Sequence, residues 1–91
     1  MGIIDTIIFD IGDPLSSLSP INYDEFENAI AGKDILAVEP IDSPLIDGII
    51  LYCADSERKL TVLQLYCTDP SDASENPLEF YGAEFDYCIP E

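Results

Sequence analysis

The chain has 91 residues, nineteen of them acidic and three basic, with no histidine, and a net charge of −16. It is still 47% hydrophobic, so it is unlike the charge-rich, apolar-poor chains that stay disordered. The balance argues against direct nucleic-acid binding, which draws its affinity from lysine and arginine on phosphates, and against an anionic membrane surface.

The length predicts a single small acidic domain over 1–91, one that buries roughly 60–65% of its unfolded surface. No apolar run reaches the roughly 18 residues of a membrane span. Met1-Gly2-Ile3-Ile4-Asp5 lacks the cationic start of a signal peptide. Met1-Gly2 with Thr6 fits the loose N-myristoylation pattern, but no basic cluster supplies a second anchor. Cys53, Cys67 and Cys88 contain no C-x-x-C pair and have no histidine to complete a common zinc site. The expectation is reduced thiols in the cytoplasm. Each cysteine follows a tyrosine, and strand neighbours point to opposite faces. One member of each pair is therefore expected inside and the other outside.

Residues 2–11 carry Ile3, Ile4, Ile7, Ile8 and Ile11 on one face of a helix, although isoleucine itself favours strands. The spacing tips the reading toward helix, ended by Gly12 and Pro14. The run Ile7-Ile8-Phe9-Asp10-Ile11-Gly12 resembles the start of haloacid-dehalogenase-type phosphatases, where a nucleophilic aspartate ends a hydrophobic strand. That family has a second acid where Gly12 stands, and its core needs a far longer chain, so no phosphatase is expected. Residues 13–20 read as a loop.

A helix is predicted over 23–31. Asn22 and Glu25 have the spacing of a capping box, and Ile21 and Phe26 that of a hydrophobic staple. Asp24, Glu25 and Glu27 place negative charge near the positive helix end, and Gly32 suits the position after its last turn. Strands follow. Residues 34–41 are apolar and stop near Pro40, and Asp42-Ser43-Pro44 is a turn. Residues 48–54 and 60–68 form a hairpin around Asp55-Ser56-Glu57-Arg58-Lys59. That pairing sets Ala54 near Leu60 and keeps Cys53 and Cys67 too far apart for a disulfide. Residues 69–77 are a polar loop. Residues 78–89 are a last strand segment, with a break suggested at Gly82. The fold expected is α+β, one or two N-terminal helices packed on a three- to four-stranded, mostly antiparallel sheet.

No serine, cysteine or lysine has a histidine to activate it. With so many carboxylates, the spacing of any two carries no information about acid–base chemistry. Neither enzyme activity nor a cofactor or metal is expected. No window has the EF-hand pattern. Asp69, Asp72 and Glu75 could hold calcium weakly but read more simply as a solvated loop. A folded field of carboxylates can instead imitate a phosphate backbone and occupy a basic groove, with electrostatically steered association. The candidate partner-binding clusters are Asp24/Glu25/Glu27, Asp42/Asp47, Asp69/Asp72/Glu75 and Glu79/Glu84/Asp86. Tyr23, Tyr81 and Tyr87 are expected to be exposed anchors. In size, acidity and lack of catalytic motifs the chain resembles phage anti-defence proteins such as anti-CRISPRs. That implies an inhibitor whose partner is a basic nucleic-acid-binding protein or nuclease. The alternatives are an immunity protein capping a cationic nuclease toxin, and a calcium-binding or halophile-adapted structural domain.

Overall fold

The structure, a computed structural model, describes residues 2–41, 47–67 and 78–90. Two helices, α1 (Ile3–Ile11) and α2 (Tyr23–Ile30), accompany five strands: β1 (Ser19–Ile21), β2 (Asp34–Pro40), β3 (Asp47–Ala54), β4 (Lys59–Cys67) and β5 (Leu78–Cys88). The strands form one antiparallel sheet in the order β1-β5-β4-β3-β2. The chain is thus α+β, as its pattern predicts, with one strand more than the largest sheet expected. The extra strand is β1, whose first two residues fall in the segment read as a loop and whose third, Ile21, belongs to the staple expected before α2. Three residues containing Pro20 have no strand periodicity of their own. Pairing with Phe80, Tyr81 and Gly82 makes them a strand, and an edge position tolerates the missing proline N–H.

Alternation along β3 and β4 divides the core between two faces. Ile50, Tyr52, Ala54, Leu60 and Val62 join Ile7 and Ile89, with Ile3, Ile4 and Ile11 packed against them. Leu51, Cys53 and Leu63 point the other way, toward Ile21, Phe26, Ala29 and Ile30. One helix therefore covers each face of the sheet. Covering both faces explains why β3 is continuously apolar, as strands buried on both sides are. It also corrects the expectation for Tyr52 and Cys53, which are both buried. Through the strand registers, Tyr52, Tyr66 and Tyr87 stand on the α1 face and their cysteine neighbours on the α2 face.

In α1 the isoleucine stripe prevails over isoleucine's strand preference, because Ile7 gains full burial and helix stability comes mostly from packing an apolar face. Phe9, off that stripe, is 89% exposed. Gly12 ends the helix at φ 81°. In α2 the capping box forms as expected: Glu25 N–H donates to Asn22 Oδ1 at 2.8 Å, and Asn22 N–H to Glu25 Oε1 at 3.3 Å. The hairpin also forms in the expected register, Ala54 opposite Leu60. Cys53 lies opposite Thr61 and Cys67 opposite Asp47, so the two thiols sit at opposite ends of the ladder. β5 runs unbroken through Gly82. The turn expected at 42–44 and the loop at 69–77 lie outside the described residues. Among the described residues, no helix is long and apolar enough to cross a membrane.

Candidate functional site: a surface with its cations at one end

The three basic residues gather where β3 turns into β4. Lys33 precedes β2, whose Asp34 pairs with Ala54 at that end of the sheet. Arg58 closes the turn with φ 65°, and Lys59 begins β4. Each is engaged there. Lys33 Nζ lies 3.8 Å from Glu84 and Lys59 Nζ 3.9 Å from Asp86. Arg58 donates through Nε to the Ile89 carbonyl at 2.8 Å and through an Nη to the Pro90 carbonyl at 3.0 Å. Asp55 organises the same turn, its carboxylate accepting from the Lys59 and Glu57 N–H groups at 2.9 and 2.8 Å. The Lys59 bond first, and then the Glu57 bond, hold its carboxyl below the usual value against some desolvation.

The other end of the sheet carries acids. Asp24 lies in the first turn of α2, which begins where β1 ends. Glu39 is near the end of β2, Asp47 starts β3, and Glu79 is near the start of β5. All four are exposed. Charge is therefore graded along the strands: all three cations lie at the turn end, among Asp34, Asp55, Glu57, Glu84 and Asp86, and none lies beside the acids at the other.

The predicted site residues divide accordingly. Asp24, Glu25 and Glu27 lie on α2 and are exposed, with Glu25 also serving the capping box. Glu84 and Asp86 stand on the α2 face of β5, and Glu84 and Glu25 line one cleft of about 320 Å³ with Ala29, Thr61, Leu63 and Gly82. The fold thus unites two clusters that are far apart in sequence, but Glu84 and Asp86 have lysine partners, and Glu79 stands apart at the acidic end. Asp42, Asp69, Asp72 and Glu75 lie outside the described residues. Among the described residues, no group of three histidine, cysteine or acidic side chains is placed to hold a metal.

The tyrosines differ from expectation in part. Tyr23 is 61% exposed and meets Phe80 edge-on at 5.8 Å. Tyr81 and Tyr87 are half-buried. Tyr81 stacks on Tyr66, with centroids 5.5 Å apart and planes 7° apart, and accepts its hydroxyl hydrogen bond at 3.1 Å. That bond, together with Glu79 across the ladder, pushes the Tyr66 phenol up. Tyr87 donates a short hydrogen bond to Asp10 Oδ2, tying β5 to the end of α1. The bond pushes its phenol up to about 12. Sequence reading missed these ties because each joins residues remote along the chain. The one available signal was that Arg58 and Lys59 both fall in the turn.

Comparison with protein-family models, with curated proteins and with solved structures returned no match.

Proposed function

We propose that the protein is an acidic inhibitor that binds and blocks the basic nucleic-acid-binding surface of another protein, in the manner of phage anti-defence proteins of the anti-CRISPR kind. The observation that carries this reading is the gathering of Lys33, Arg58 and Lys59 at one end of the sheet, which leaves Asp24, Glu39, Asp47 and Glu79 at the other without a cation beside them. A basic groove binds nucleic acid by neutralising phosphates and releasing counterions. Carboxylates held on strands and a capped helix offer the same exchange at little ordering cost. Asp47 and Glu79 belong to strands two apart in the sheet. Their backbones lie roughly 10 Å apart at a strand spacing of about 4.8 Å, and alternation points Asp47 to the α2 face with Leu51 and Cys53 and Glu79 to the α1 face with Tyr66. The acidic end therefore presents carboxylates on both faces of the sheet. Exposed Tyr23 supplies an aromatic anchor in the cleft it lines with Glu79.

The test is a tagged pull-down from nuclease-treated bacterial lysate, washed at low salt and then at about 0.5 M, where screening weakens exposed charge pairs. The expected catch is a basic nucleic-acid-binding protein that salt releases and that loses its nucleic-acid binding when the chain is added. A variant combining Asp24→Lys, Asp47→Lys and Glu79→Lys should keep its circular dichroism and lose the catch. If it retains full binding, the electrostatic account fails.

A further inference from the structure

β2 is an edge of the sheet. Its inner side pairs with β3, and among the described residues no strand lies on its outer side. An edge strand presents a row of unpaired N–H and C=O groups, which proteins usually guard with lysine, proline or a bulge. Here a bulge lies between Ile35 and Ala37 and Pro40 stands at the far end, but the strand Asp-Ile-Leu-Ala-Val-Glu-Pro contains no lysine.

The flanks of this edge are apolar and acidic. On the α2 face, Ile35 and Val38 are 50% and 55% exposed. On the α1 face, Ile8 is 46% exposed. It lines, with Ile3, Ile4 and Ala37, a cleft of about 420 Å³ between helix and strand. Asp5 and Glu39 are the two charged side chains of that lining.

We propose that the outer edge of β2 accepts an added strand from the partner, an extended segment that alternates basic and apolar side chains. The proposal rests on the reading of the protein as a binder of a basic partner, and it names the element through which that partner docks. Backbone pairing supplies affinity in strand addition, and alternate side chains supply specificity. One set stands over the cleft, where lysine or arginine stems lie on Ile4 and Ile8 and their charges reach Asp5 and Glu39. The other set lies on Ile35 and Val38, where branched apolar residues fit. The seven residues of β2 set the length of the segment. A second copy is the weaker occupant. It brings another −16 of charge, and its own β2 offers Asp34 and Glu39 with no base to meet them.

The test uses the labelled peptide Lys-Val-Lys-Val-Lys-Val-Lys and a control of the same composition, Lys-Lys-Lys-Lys-Val-Val-Val. Affinity is read by fluorescence anisotropy and location by amide hydrogen exchange. The alternating peptide should bind and slow exchange in Asp34–Pro40. The control should bind about tenfold more weakly or worse. Val38→Lys and Glu39→Lys, both at exposed positions, should each weaken the alternating peptide by about tenfold, while Glu57→Lys, exposed in the β3–β4 turn, leaves it unchanged. Equal binding of the two peptides, or protection anywhere other than β2, overturns the proposal. So does a dimer in sedimentation equilibrium that Val38→Lys dissociates, because the edge then serves a second copy. Should Val38→Lys still capture the basic nucleic-acid-binding protein undiminished, the edge proposal fails and the inhibitor reading stands. Should the peptide bind at β2 with no such protein captured, the edge stands and the inhibitor reading falls.

Discussion

Arg58 combines a backbone cost with a side-chain gain. Its φ of 65° is a left-handed conformation that costs a residue with a Cβ roughly 1–2 kcal/mol. Its guanidinium offsets that cost by holding the Ile89 and Pro90 carbonyls. Arg58→Ala keeps the strain and loses the bonds, so urea unfolding should report a loss of about 1–3 kcal/mol. Arg58→Gly loses the bonds but relieves the strain, and should be the more stable of the two variants by about 1 kcal/mol. Tyr87 gives a pH prediction. Its phenol is raised from 10.0 to about 12, chiefly by the hydrogen bond to Asp10. A raised folded value favours the protonated form, so its contribution is complete below pH 10 and lost as pH rises through about 12. Tyr52, raised by burial and then by Glu39 and Asp13, and Tyr66 add losses of the same sign. Thermal unfolding followed from pH 9 to 12 should therefore fall less steeply in Tyr87→Phe without becoming flat.

Among the elements, β3 and β4 set how closely backbones approach. A Cβ on Gly48 would sit 2.5 Å from the Leu65 carbonyl oxygen, 2.5 Å from Tyr66 Cβ and 2.6 Å from Ile41 Cδ1. On Gly82 the nearest atoms are the side-chain tips of Leu63 and Ile21, at 2.8 and 3.1 Å. Tips rotate aside and a paired backbone does not. Gly48→Ala should cost about 3 kcal/mol, at the upper end of overpacking, and Gly82→Ala about 1 kcal/mol. The comparison is made by denaturant midpoints at unchanged slope. This accounts for the misread break at Gly82. In isolation that glycine signals weakness in a strand, but in the sheet it is where Ile21 of β1 and Leu63 of β4 close in on β5.

At the scale of the molecule, a net charge of −16 makes the folded state repel itself. Only two ion pairs are present among the described residues, both beside exposed acids, and exposed pairs contribute little. Raising salt from about 0.01 M to about 1 M shortens the screening length from roughly 30 Å to 3 Å. Calorimetry should show the melting temperature rising across that range. A fall would mean that the lysine pairs outweigh the repulsion.

The sequence by itself determined α2, the β3–β4 hairpin and its register, the α+β class and the excess of carboxylates. Each depends on local signals: a capping box four residues long, apolar runs on either side of a five-residue polar turn, and composition. Tertiary structure alone decided the rest. It made Ser19–Ile21 a strand by pairing it with β5. It buried both Tyr52 and Cys53 by covering both faces of the sheet. It joined Tyr87 to Asp10, 77 residues away. It brought Lys33 to Glu84 and Lys59 to Asp86, and so set the end of the molecule that holds the cations apart from the end that holds acids alone. The physical reason is range. Capping and alternation act within a few residues, whereas the sign of charge at each end of the sheet depends on strands far apart in sequence lying side by side.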